Sequence, residues 1–173
     1  DFLKSSLAAS AVAGLNASTS TAGAADSGRA AGRECYELRA YRFKPGADQG
    51  PLNGYLEKVA IPALNRLGSK PIGVFTEIEP KGDPAVFVLI PYPSIEAYYS
   101  TTARFNADLA QQTAAADYLQ APKTSPAFAR IDSWLLLAFA GMPKLEQPAY
   151  SKAKKTRIFE LRTYESHSEL KAL

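Results

Sequence analysis

Apolar and polar side chains alternate from Cys35 to Phe43, with Tyr36, Leu38 and Ala40 on one face and Glu37, Arg39, Tyr41 and Phe43 on the other. A period of two over this length predicts a β-strand, which Lys44-Pro45-Gly46 ends. The period then changes. Leu52, Tyr55, Leu56, Val59, Ala63, Leu64 and Leu67 recur at steps of three and four, which predicts a helix with one apolar stripe. Asp48 is placed to cap its first turn, where Pro51 is tolerated because first-turn N–H groups lack intrahelical partners. Gly68 is placed to stop it in a left-handed conformation. Pro62 falls inside the stripe, removes one backbone bond and crowds the preceding turn, so a kink is expected there.

Pro71 to Glu79 alternates again, and Val86 to Ile90 is a short continuous apolar run of β-branched and aromatic residues. Between them Pro80-Lys81-Gly82-Asp83 is a turn signal with Gly82 supplying a positive φ, so the pair predicts a hairpin. Pro93-Ser94 opens a second helix, with Ser94 as cap and Ile95, Tyr98, Tyr99, Thr102, Phe105 and Leu109 as its inner stripe. It is expected to run to Leu119, broken near Gln111–Thr113, with Pro122 beyond it. Ile131 to Phe139 is a last strand, apolar on both faces, stopped by Gly141-Met142-Pro143. The order βαββαβ predicts an α+β, ferredoxin-like unit: a four-stranded antiparallel sheet with both helices on one face and the other face bare.

Composition narrows the partners. Apolar residues make up 46% of the 173, enough for a core, and charged residues 21%, enough for a soluble body. A net charge of +3 without a basic stripe or an aromatic RNA-type motif argues against nucleic acid. The basic run Lys152, Lys154, Lys155 and Arg157 reads as a solvated linker, with a docking patch as the alternative. One cysteine, Cys35, excludes an internal disulfide and reads as a buried inert thiol. One histidine, His167, excludes a His-rich metal cluster, and the body from Glu34 to Tyr150 holds no histidine to serve as an axial haem ligand, so neither metal nor cofactor is expected.

The first 25 residues combine Lys4, a weakly apolar stretch from Leu7 to Leu15 and the small-x-small site Ala22-Gly23-Ala24, which describe a secretory signal. Phe2-Leu3-Lys4 resembles the tail of a twin-arginine (Tat-like) signal whose arginines would sit upstream of Asp1 in a longer chain. The alternative is an Ala/Ser/Thr leader that is never cleaved. Residues 26–33 then read as a disordered tail, and the mature protein is expected in the periplasm or outside the cell, with no stable membrane insertion.

Tyr36-Glu37-Leu38-Arg39-Ala40-Tyr41 returns 123 residues later as Phe159-Glu160-Leu161-Arg162-Thr163-Tyr164. Four of the six positions are identical and a fifth exchanges one aromatic for another, so a tandem repeat is expected. The first unit spans 34–143, a linker 144–155, and 156–173 is expected as the opening strand of an incomplete second copy. With Lys44-Pro45-Gly46, Ile61-Pro62-Ala63-Leu64, Gly73-Val74-Phe75 and Ala138-Phe139-x-Gly141-Met142-Pro143, this repeated opening resembles the NIPSNAP family. The resemblance implies a dimeric α/β-barrel fold in which two ferredoxin-like units press their bare sheet faces together, within one chain or as a homodimer. It implies no settled activity and no catalytic residues.

Alternation puts Glu37, Arg39 and Tyr41 on one face, and Glu160, Arg162 and Tyr164 on another. Both triplets are expected on the helix-free face, with Leu38 and Leu161 turned to the helices. There Arg39 could hold a small anionic or carbonyl-bearing ligand with Tyr41 as a second donor. Alternatively, Glu37 and Arg39 simply satisfy each other. The function classes left open are a binding or scaffold protein, a cofactor-independent oxygenase or isomerase in the same barrel by fold analogy, and a self-association module. For the last, the doubly apolar edge strand from Ile131 to Phe139 invites a covering partner.

Overall fold

The computed structural model describes residues 32–153 and 155–168. The expected signal 1–25, most of the tail 26–33, Lys154 and residues 169–173 lie outside the described residues. The first strand, β1, is Cys35–Arg42. Helix α1 follows as one rod of three segments: Gly50–Tyr55, a π-helical turn Leu56–Ala60, and Ile61–Arg66. Strands β2 (Gly73–Thr76) and β3 (Ala85–Tyr92) come next, then helices α2 (Ile95–Ala107), α3 (Leu109–Ala114) and α4 (Ala116–Leu119), and strand β4 (Arg130–Leu137). The sheet order is β2-β3-β1-β4 with every pairing antiparallel, so β1 is central and β4 is an edge. This is the ferredoxin-like arrangement expected from the element order.

Local chemistry explains the boundaries. Asp48 accepts a bond from the Gly50 N–H at 2.8 Å, capping α1 from just outside it. Pro62 has no N–H to return to the preceding turn, and the helix absorbs the defect as the π turn, whose closing bond runs from the Ile61 N–H to the Leu56 carbonyl. α1 ends in a Schellman motif: Gly68 sits at φ +101°, its N–H bonds the Asn65 carbonyl, and the Ser69 N–H bonds the Leu64 carbonyl at 3.0 Å.

β2 is shorter than the expected Pro71–Glu79. Its ladder to β3 ends at Thr76, because the next available donor, the Ala85 N–H, is taken by the Glu77 carboxylate at 2.9 Å. Ser94 caps α2 by accepting from the Ala97 N–H. The second helical stretch breaks twice, at Asp108 and at Ala115, on either side of the expected Gln111–Thr113. Asp108 leaves the helical region and caps α3 through the Gln111 N–H at 3.0 Å. The buried stripe of α2 is Thr101 and Phe105, whereas Tyr99 and Leu109 are exposed, which corrects the predicted stripe by a small rotation.

The core joins Cys35, Tyr41 and Phe43 of the first strand region to Leu52, Leu56, Leu64, Val86, Val88, Ile90 and Phe105. The odd-numbered side chains of β1 therefore face the helices. This reverses the expected assignment, in which Glu37, Arg39 and Tyr41 lay on the helix-free face. Alternation separates two faces but does not say which one the helices cover. Leu38 is buried instead on the far side, in register with Leu89 and Trp134. Residues 155–166 form no strand, contrary to the opening strand expected over 156–173: no ladder partner stands beside them among the described residues. Their contact with the sheet is Phe159 edge-on to Phe75, centroids 5.0 Å apart.

Candidate functional site

The helix-facing side of β1 carries a closed polar network. Arg39 donates from Nε and Nη2 to the two carboxylate oxygens of Glu37, at 2.7 and 2.9 Å. Their two-residue spacing on one strand puts both side chains on the same face. Two further donors reach Glu37 from the flanking strands: Ser133 Oγ of β4 at 2.9 Å and the Tyr92 hydroxyl of β3 at 3.3 Å. Register explains both, since Ser133 stands opposite Arg39 and Tyr92 opposite Cys35.

The Glu37 side chain is only 8% exposed and Arg39 26%, so the pair is largely desolvated. Burial pushes the Glu37 carboxyl up, but the Arg39, Ser133 and Tyr92 hydrogen bonds outweigh it and hold it below the ordinary glutamate value. Burial works against the Arg39 charge too, and Glu37 with neighbouring Tyr41 overcomes it, keeping the guanidinium protonated.

Arg39 borders two cavities between sheet and helices. The larger, about 540 Å³, has a mixed lining: the polar residues Tyr92, Thr102, Asn106, Gln111, Gln112 and Gln120, with Leu64 and Phe105. The smaller, about 340 Å³, is mainly apolar: Tyr41, Tyr118, Ala121, Pro126, Ala127, Phe128 and Ile131. Arg39, Tyr55 and Leu119 border both. Tyr55 stacks flat on Tyr118, centroids 4.1 Å apart, and Phe128 meets Tyr41 edge-on at 5.7 Å. Burial raises the Tyr55, Tyr92 and Tyr118 hydroxyls above the ordinary phenol value, and the Glu37 charge adds to the effect at Tyr92. These phenols therefore remain protonated donors at neutral pH. Thr102 Oγ1 is buried without a hydrogen-bond partner among the described residues.

Of the six residues singled out from sequence, Glu37, Arg39 and Tyr41 come together here. Glu160, Arg162 and Tyr164 do not join them. Arg162 bonds Glu160 at 2.7 Å with side chains 61% and 67% exposed, and Tyr164 is exposed. Sequence reasoning missed Tyr55, Tyr92, Tyr118, Gln111 and Ser133. A usable signal was present for Tyr55, because a tyrosine inside an apolar helical stripe must place its hydroxyl against a buried partner. Among the described residues, no group of three or more His, Cys, Asp or Glu is placed to hold a metal ion, and no helix is long and apolar enough to cross a membrane.

The NIPSNAP family model matches residues 36–133, which includes all of β1 but Cys35, both cavities' strand residues and the first half of β4. Among solved structures, the chain is similar to a NIPSNAP family protein of unknown function from Agrobacterium tumefaciens, at 23% identity over 62% of this chain and 90% of that one, with a TM-score of 0.46. Two proteins from Burkholderia xenovorans are also similar. An uncharacterised NIPSNAP domain protein shares 20% identity over 64% and 99% of the two chains at a TM-score of 0.49. A NIPSNAP-like domain protein shares 24% over 67% and 97% at 0.48. A search of curated proteins finds no match. With more than half of its length covered by the family model, the chain belongs to the NIPSNAP family.

Proposed function

We propose that this NIPSNAP protein binds a small carbonyl-bearing molecule in the space between sheet and helices, with the carbonyl oxygen at Arg39. The observation that carries the reading is the way Arg39 is held. Two of its nitrogens are locked on Glu37, while the residue borders both cavities. The ion pair has no net charge, so it offers oriented N–H donors without a free positive charge. A neutral carbonyl suits such donors better than a naked anion, whose desolvation would go uncompensated. Binding is favoured over proton-transfer chemistry because the titratable groups described around the cavities are in the wrong state for a base. Glu37 is a weakened base held by four hydrogen bonds, and the buried phenols keep their protons.

The test is calorimetric titration of the full chain with benzamide, a neutral carbonyl, and with benzoate. Benzamide is expected to bind in the millimolar range or better, and Arg39→Lys, which keeps the charge but loses the planar fork, is expected to weaken it about tenfold. Absence of binding by either compound at millimolar concentration would sink the reading. The same reading takes the chain as an exported protein with a duplicated unit, whose exposed apolar edge strand is covered by a second unit. Trp134, Leu135, Leu136 and Leu137, all solvent-exposed in a single unit, support that last part.

A further inference from the structure

We infer that the ligand has two unlike ends joined at its carbonyl: a flat apolar end and a short hydrogen-bonding arm bearing an amide or hydroxyl. The inference rests on the carbonyl reading above and adds the substrate class. Its basis is the unequal chemistry of the two cavities that meet at Arg39, Tyr55 and Leu119.

On one side, Phe128, Tyr118 and Ile131 present apolar and ring surface. The Tyr118 ring is already part of a stacked pair, so a flat group finds faces and edges with the geometry aromatic contacts prefer. On the other side, Thr102, Gln111 and Tyr92 present hydroxyl and amide groups. Gln111 is buried, at 6% exposure, beside the Tyr55 hydroxyl, and its amide has more hydrogen-bonding sites than that one contact uses. Thr102 Oγ1 is buried and unpartnered, and an orphaned buried hydroxyl costs free energy until a ligand or water meets it. A purely apolar ligand would leave Thr102 Oγ1 unmet, and a purely polar one would leave the aromatic side unfilled. Since Arg39 stands where the cavities meet, the carbonyl belongs in the middle of the molecule. Aromatic acyl amides have this layout.

Three neutral probes separate the parts: benzamide has the flat end and the carbonyl, N-acetylglycinamide has the carbonyl and the arm, and N-benzoylglycinamide has all three. Binding to the full chain is measured by calorimetry, with circular dichroism confirming the fold of each variant. N-benzoylglycinamide is expected to bind on the order of tenfold tighter than either fragment. Gln111→Leu is expected to abolish that gain over benzamide while leaving benzamide itself unchanged. Ile131→Gln, at a half-exposed position, is expected to weaken benzamide and N-benzoylglycinamide and to leave N-acetylglycinamide unchanged. If benzamide binds and N-benzoylglycinamide binds no better, the two-ended ligand is wrong and the carbonyl reading stands. If no probe binds, both fall. Equal losses for all three probes in Gln111→Leu would also overturn the inference, because the amide would then be acting on the fold and not on the arm.

Discussion

Replacing Glu37 by glutamine tests whether the network on β1 is a buried, mutually dependent unit. The substitution keeps the shape but removes the charge that four hydrogen bonds converge on. Arg39 would then be a cation facing an amide whose NH₂ group competes with its own donors. Breaking one partner of a buried pair costs about 3–5 kcal/mol, since the remaining charge stays desolvated. Arg39 retains 26% exposure, so water recovers some of that, and the lower end, about 3 kcal/mol, is expected. For a chain of this length that corresponds to a drop in Tm of about 6–12 °C. Urea unfolding followed by circular dichroism gives the free energy directly. The recurring hexapeptide at 159–164 supplies a control in the same molecule. Glu160→Gln removes the same residue from the same local sequence, but its pair with Arg162 is mostly exposed, and surface pairs contribute little. No measurable change is expected. If Glu37→Gln is as harmless as Glu160→Gln, the burial argument for the network is wrong.

Four other outcomes are expected. Glu37 has a folded-state pKa below its ordinary 4.5, so the stability it contributes is full above that value and is lost as pH falls through the lowered one. Acid titration of wild type should therefore lose stability more steeply below about pH 4.5 than Glu37→Gln. Thr102→Val removes the partnerless hydroxyl and should leave stability unchanged or raise it by up to about 1 kcal/mol in urea unfolding. Gly68→Ala forces a side chain into φ +101°, where no neighbour crowds the Cβ, so only backbone strain is added. A loss of about 1–2 kcal/mol is expected in the same assay. Trp134→Lys with Leu136→Lys places two charges on the helix-free side of the exposed edge strand. Sedimentation should show self-association weakened with the monomer's circular dichroism intact.

Most of the fold was legible because it rests on periods and punctuation. The change of period after Phe43, Gly68, the Gly82 turn and the Ser94 cap each acted at the position expected of it. The misses have separate physical causes. Pro62 announced a defect but not its form, since a kink and a π turn both accommodate a missing N–H. Asp108 lay inside an apparently continuous helical pattern, and its capping role shows only once the backbone leaves the helix there. Tyr92 and Ser133 were invisible as partners of Glu37 because they reach it through cross-strand register, which no local pattern records.

The reversed face of β1 has a different origin, and it changes how the hexapeptide should be understood. Glu37 and Arg39 look like surface residues, and Leu38 between them looks like core. Yet β1 is hydrogen-bonded along both edges, to β3 and β4, so side chains on either of its faces stand between cross-strand neighbours, and Leu38 is buried with no helix over it. Under that condition polarity alone does not assign the faces. The helices went to the side where Cys35, Tyr41 and Phe43 supply the bulk, and the charged pair came with them by alternation. Glu160 and Arg162 form the same two-residue ion pair without flanking strands, and there it stays in solvent. The short sequence therefore dictates the pairing of acid with guanidinium in either place. Only the neighbouring strands turn that pairing into a desolvated donor set with a cavity in front of it.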